Sequence, residues 1–178
     1  MAVHLAFLRA INLGPKRVFP KADIHRVVGE IGFDEIETHL NTGNVRFGTR
    51  MRSRPKIEVA LERAFARDRG FEVPTIVFSA AEFVQVAADT ARLDDEHPGL
   101  ARHYVYLLKE PLDADRVAEV EARADERGRM IVRGRAAHAL LRPGYQDGQI
   151  DPLAAANLLG VATNRNANVV RTLAAKWC

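Results

Sequence analysis

The sequence is most informative at first through what it lacks. Its only cysteine is Cys178, which excludes an internal disulfide and a cysteine-built zinc cage. Serine occurs only at Ser53 and Ser79. Neither lies in a G-x-S-x-G elbow, and Ser79 reads as a helix cap, so serine nucleophile chemistry has no candidate. There is no Walker loop and no G-x-G-x-x-G. The histidines His4, His25, His39, His97, His103 and His138 form no i,i+4 pair and no H-E-x-x-H. They read as structural or surface groups, and neither a metal nor a cofactor is expected. No apolar run reaches 18 residues, so no helix is expected to span a membrane and no membrane partner is implied. The opening "MAVHLAFLRAINLG" has no basic start and no long apolar stretch. It reads as a first strand rather than a signal peptide, with the cytoplasm as the default location.

What is present suits a globular chain of 178 residues, with 47% hydrophobic and 28% charged residues. The formal charge is only +3, but it is unevenly spread. No acid falls between Glu37 and Glu58, a stretch that holds Arg46, Arg50, Arg52, Arg54 and Lys56. A second acid-free stretch after Glu126 holds Arg127, Arg129, Arg133, Arg135 and Arg142. Two readings stand. Arginines outnumber lysines 21 to 5, which fits a G+C-rich coding bias and a solvated face. Alternatively, Arg46, Arg50, Arg52, Arg54, Arg133 and Arg135 form a basic surface for phosphate-bearing partners.

Hydrophobic periodicity orders the chain. Val3–Ile11 reads as a buried strand. Pro20 starts a helix whose apolar face is Ile24, Val27, Val28 and Ile31. "IETHLNTGNVRFGT" alternates on both sides of a turn in which Gly43 supplies a positive φ, so it reads as a hairpin. A second helix carries Ile57, Leu61 and Phe65 and stops at Gly70. Val73–Phe78 is a strand. Ser79 and Glu82 then have capping-box spacing, with Phe78 and Phe83 as the staple. After a polar connector the order repeats. His103–Lys109 is a strand, a helix opens at Asp113, and a hairpin turns at Gly134 and Arg135. A helix lies near Pro152–Leu159, and the last helix follows Thr163. The expected fold is α+β, with duplicated ferredoxin-like (β-α-β-β-α) units and a C-terminal helix. The first subdomain with its following helix is 1–89, the connector is 90–102, and the second subdomain is 103–178.

Three polar constellations remain: Arg9–Asn12–Gly14, Asn41–Thr42–Gly43–Asn44, and Thr163 to Asn168. As structural groups, Asn12 and Asn41 form turns, and Thr163 or Asn164 caps the last helix, worth roughly 1 kcal/mol. Arg165 is left over. A cation in a first helical turn opposes the dipole, unless a bound anion or a carboxylate offsets it. The sheet aromatics Phe7 and Phe47 are present, but the R-G-F-G-F-V pattern of RNA-recognition motifs is not.

The motifs "LRAINLG", "LNTGNVRF" and "ATNRNANVVRTLA" resemble those of the bacterial DUF1697 family. The resemblance spans almost the whole chain. It implies an α+β fold with ferredoxin-like units and carries no established activity. Its motif positions fall on Arg9, Asn12, Gly14, Gly43, Asn44, Thr163, Arg165, Asn166 and Asn168. Ala10 stands where the family usually has glycine, and Val169 stands one place before Val170, where a threonine is usual. Gly148-Gln149 stands in place of a Ser-Lys pair. The leading expectation is a binding domain for a phosphate-bearing ligand or nucleic acid, acting through the basic hairpins and a polar helix N-terminus. Its ligand residues would be Arg9, Asn12, Gly43, Asn44, Arg165, Asn166 and Asn168. The alternatives are an enzyme acting on a small anionic metabolite, for which no base can be named, or a purely structural polar network.

Overall fold

The computed structural model describes residues 1–145, 148–149 and 151–178. The chain divides into two units, Met1–Phe83 with Trp177, and Val84–Lys176 with Cys178. Each carries a four-stranded antiparallel sheet.

The first unit runs β1 (Ala2–Leu8), α1 (Lys21–Glu30), β2 (Asp34–His39), β3 (Asn44–Thr49), α2 (Arg54–Arg69) and β4 (Thr75–Ser79). Its strand order, β2-β3-β1-β4, is the ferredoxin-like arrangement. Alternation decides which side chains meet. Ala6, Leu8, Val45 and Phe47 leave one face of the sheet and pack on Ile24, Val27 and Val28 of α1 and Ile57, Leu61 and Phe65 of α2. Each such fully buried side chain contributes roughly 1.5–3 kcal/mol. The other face holds Phe7 against Phe78 and Phe83. The staple and the capping box read from the sequence both close. Glu82 N donates to Ser79 Oγ at 3.2 Å, and Ser79 N donates to Glu82 Oε2 at 2.8 Å.

Strand β1 stops earlier than alternation alone suggests. Ala10 and Asn12 adopt left-handed φ of 56° and 54°, so 9–11 belong to a loop. Asn12 clamps that loop: its Oδ1 accepts from Phe19 N at 2.7 Å, and its Nδ2 donates to the carbonyls of Phe19 and Asn41. Arg17 donates to the carbonyls of Ala10 and Glu72 and lies over the Phe71 ring.

Strand β4 is an edge, so its outward N–H groups have no neighbouring strand. Each instead meets a carboxylate. Thr75 N donates to Glu62 at 2.9 Å, Val77 N to Glu58 at 3.0 Å, and Ser79 N to Glu82 at 2.8 Å. Glu58 and Glu62 sit one turn apart on α2, which matches the two-residue spacing along the strand. Edge strands are the usual site of unwanted pairing between chains, and a row of carboxylates blocks it.

The second unit begins within α3 (Ala80–Glu96), which is helical through Glu96, across the first part of the polar segment 90–102. It continues as β5 (Arg102–Leu108), α4 (Ala114–Glu121), β6 (Gly128–Arg133), β7 (Ala136–Leu141), a 3₁₀ turn (Ala156–Leu158), β8 (Ala162–Asn166) and α5 (Ala167–Trp177). Strand order β6-β7-β5-β8 repeats that of the first unit. Leu108, Met130, Ala139 and Leu141 pack on Val120 and Leu158. Edge strand β6 shows the same protection, with Val132 N donating to Glu121 at 3.0 Å.

Two expectations are corrected here. The segment near Pro152–Leu159 forms only the 3₁₀ turn. Residues Thr163 to Asn166, expected at a helix start, are strand β8, because pairing with β5 in register Tyr104↔Asn166 through Leu108↔Ala162 overrides their poor strand propensity. The cap of α5 is therefore Asn166, whose Oδ1 accepts from Val169 N at 2.9 Å, and neither Thr163 nor Asn164.

Candidate functional site

The candidate residues fall into groups with different duties. In the first unit, Asn12 spends its amide on Phe19 and the Asn41 carbonyl. Asn44 is buried and donates to His39 O and Thr42 Oγ1, both at 2.9 Å, closing the hairpin turn. Gly43 has φ 77°, and a Cβ there would lie 2.6 Å from Leu8 Cβ. Its conformation and its close approach to β1 both require glycine. Arg9 is exposed.

The basic hairpins are partly occupied by acids. Arg46 pairs with Glu35 at 3.2 Å and Glu37 at 4.0 Å, and Arg54 with Glu58 at 3.1 Å. Arg50 and Arg52 are exposed. Arg133 donates to the carbonyl of Val132, and Arg135 to that of Leu108.

In the second unit Arg165 is buried, at 8% exposure. It shares the sheet face of Val105, its register partner. It donates to Thr163 Oγ1 at 3.0 Å and to the Asn164 carbonyl at 2.6 Å. Burial lowers its pKa to about 10.

Asn166 and Asn168 come together in a cleft of about 350 Å³ beside the first turn of α5. Asp94 of α3, Arg102 and His103 of β5, and Arg171 of α5 also line it. Sequence reasoning missed these four. Arg171 donates to Asp94 Oδ2 and, at 2.6 Å, to Asn168 Oδ1. Asp94 Oδ1 lies 2.7 Å from His103 Nδ1. Behind it, His103 Nε2 lies 3.0 Å from His138 Nδ1.

The proton positions follow from what each atom can do. The Asp94 carboxylate only accepts, so His103 Nδ1 carries the hydrogen. A neutral His103 then accepts at Nε2, and His138 donates from Nδ1. Both rings are held neutral by burial, which lowers the His103 pKa despite the Asp94 carboxylate and pushes His138 down to about 3. Burial pushes the Asp94 carboxyl up, but the hydrogen bonds from His103 and Arg171 together leave it below the usual carboxylate range. Among the described residues, no group of three or more His, Cys, Asp or Glu side chains is placed to hold a metal ion, and no helix is long and apolar enough to cross a membrane.

The fold and this cleft define an α+β protein of two ferredoxin-like units, with a polar cleft at the helix start in the second. The chain belongs to the family described as Protein of unknown function (DUF1697), whose model matches residues 1–138. Among solved structures it is similar to a conserved bacterial protein, SP0830, from Streptococcus pneumoniae. The TM-score is 0.75 at 21% identity, covering 99% of this chain and 98% of that one. That likeness concerns the fold. No curated protein matches the sequence.

Proposed function

We propose that the protein binds a small phosphate-bearing ligand in the cleft of the second unit. One observation carries the reading: the opening turn of α5, Arg102 and Arg171 line the same cleft. A helix start presents backbone N–H groups and the positive end of the dipole, which suits an anion. Asn166 already occupies Val169 N, and the β5–β8 register turns Ala167 N toward the His103 carbonyl, so Asn168 N is the helix-start donor left for a ligand. The volume lies near the low end of the roughly 300–1,000 Å³ typical of small-molecule sites, which favours a small molecule. A nucleic acid is less well supported, because Arg46 of the hairpin and Arg54 at the start of α2 are engaged with carboxylates.

Calorimetric titration with inorganic phosphate, phosphomonoesters and nucleotides tests the proposal. A member of the panel should bind to the wild-type chain, and Arg171→Ala should weaken it at least tenfold. A ligand at 100 times its Kd should also stabilise the fold by about 2.7 kcal/mol. If nothing in the panel binds at millimolar concentration, or if Arg171→Ala leaves affinity unchanged, the assignment is wrong.

A further inference from the structure

Asp94 faces two ways. One oxygen accepts from Arg171 at the cleft, the other from the buried His103. His103 in turn leads to His138, which is fully buried. Along the chain from Asp94 to His138, every nitrogen is committed but one. His138 Nε2 is enclosed, and among the described residues it has no hydrogen-bond partner. It therefore holds the one vacant lone pair among the four ring nitrogens, and a proton added to the histidine pair must end there. The charge need not remain on that ring. The proton shared between His138 Nδ1 and His103 Nε2 can shift toward His103, which places the positive charge beside the Asp94 carboxylate.

The residues that line the cleft include two arginines, Arg102 and Arg171, and one acid, Asp94. Formally that is one positive charge, enough for a monoanion. One proton on the histidine pair makes it two, enough for a dianion. An arriving anion also draws Arg171 from Asp94 and offsets the repulsion that Arg171 exerts on His103. Both effects favour a charged histidine. The other charged or titratable groups facing the pair are His97, which acts on His103, and Arg133, which acts on His138. Arg165 shares its sheet face with His138 through Val105.

Building on the binding reading above, we propose that the cleft takes a dianionic oxyanion head group, of the phosphate-ester or sulfate-ester class, together with one proton from solvent. The His103–His138 pair stores that proton. Coupling is reciprocal, so protonation must raise anion affinity by the factor by which the anion favours protonation.

Sulfate is the suitable probe, because it remains a dianion through the neutral and mildly acidic range and takes up no proton itself. Sulfate titrations in two buffers of different ionisation enthalpy count the protons absorbed. The proposal expects uptake rising toward one per sulfate as pH falls from about 6.5 toward about 3, the value of His138 in the fold, with affinity increasing up to about tenfold per pH unit. Replacing both rings, His103→Phe together with His138→Phe, should abolish the uptake. Should that variant not fold, the imidazole proton resonances of the wild-type chain give a second readout: two histidine titrations should move upward on adding sulfate. Sulfate binding without proton uptake, or with unmoved titrations, overturns the proposal while leaving the binding assignment intact. Absence of sulfate and phosphate binding at every pH overturns both.

Discussion

At the scale of single residues, Ala10 shows how a sequence can be read correctly and still understood late. The family usually has glycine there, and the observed φ of 56° gives the reason. A left-handed alanine costs roughly 1–2 kcal/mol, part of which glycine returns to the unfolded chain as entropy. Ala10→Gly should therefore raise stability by about 0.5–1 kcal/mol in urea denaturation. An unchanged or lower midpoint would show that the loop does not strain Ala10. Gly43 is the opposite case. Gly43→Ala adds a Cβ within 2.6 Å of Leu8 Cβ at a positive φ, and should cost about 2–4 kcal/mol. Asn12, Gly43 and Asn44 stood out in the sequence because they are unusual residues in a turn. Their observed contacts serve that turn, and spacing alone does not separate such a duty from ligand contact. Asp94 and Arg171 were not read as partners because their contact joins α3 to α5 across 77 positions.

Among the elements, the edge strands carry the testable claim. Glu58 accepts from Val77 N and pairs with Arg54 while buried. Glu58→Ala should cost about 2–3 kcal/mol, the scale of a hydrogen bond to a charged group whose partner is left buried. Glu58→Ala combined with Glu62→Ala uncovers two edge N–H groups. Sedimentation should then show concentration-dependent association absent from the wild-type chain. A monodisperse double variant of ordinary stability would mean the carboxylates do not guard the edge. Helices α1, α2 and α3 were legible because apolar periodicity and capping residues agree locally. Strand β8 was not, since "ATNRN" has neither β-branched alternation nor bulk, and only pairing with β5 makes it a strand.

For the molecule as a whole, two sheets with the same strand order arise from a chain with no visible residue repeat. Element order survives where identity does not, because periodicity constrains only which positions are apolar. The buried histidines set the acid response of the second unit. Their pKa values are lowered in the fold, so below the ordinary value of 6.5 the unfolded chain binds more protons. The stability they contribute is complete above about pH 6.5 and is lost as pH falls toward about 3, the folded value for His138. The depressed Asp94 adds loss in the same direction. Thermal melts from neutral to acidic pH should therefore fall more steeply for the wild-type chain than for His138→Phe; equal slopes would contradict the neutral pair. The central claim, that an anion sits at the start of α5, has its most direct test in an amide NMR titration with inorganic phosphate. The account predicts the largest, saturable shifts at Asn168, with the Arg171 side chain moving in step. Shifts centred on Arg50 and Arg52, or none anywhere, would contradict it.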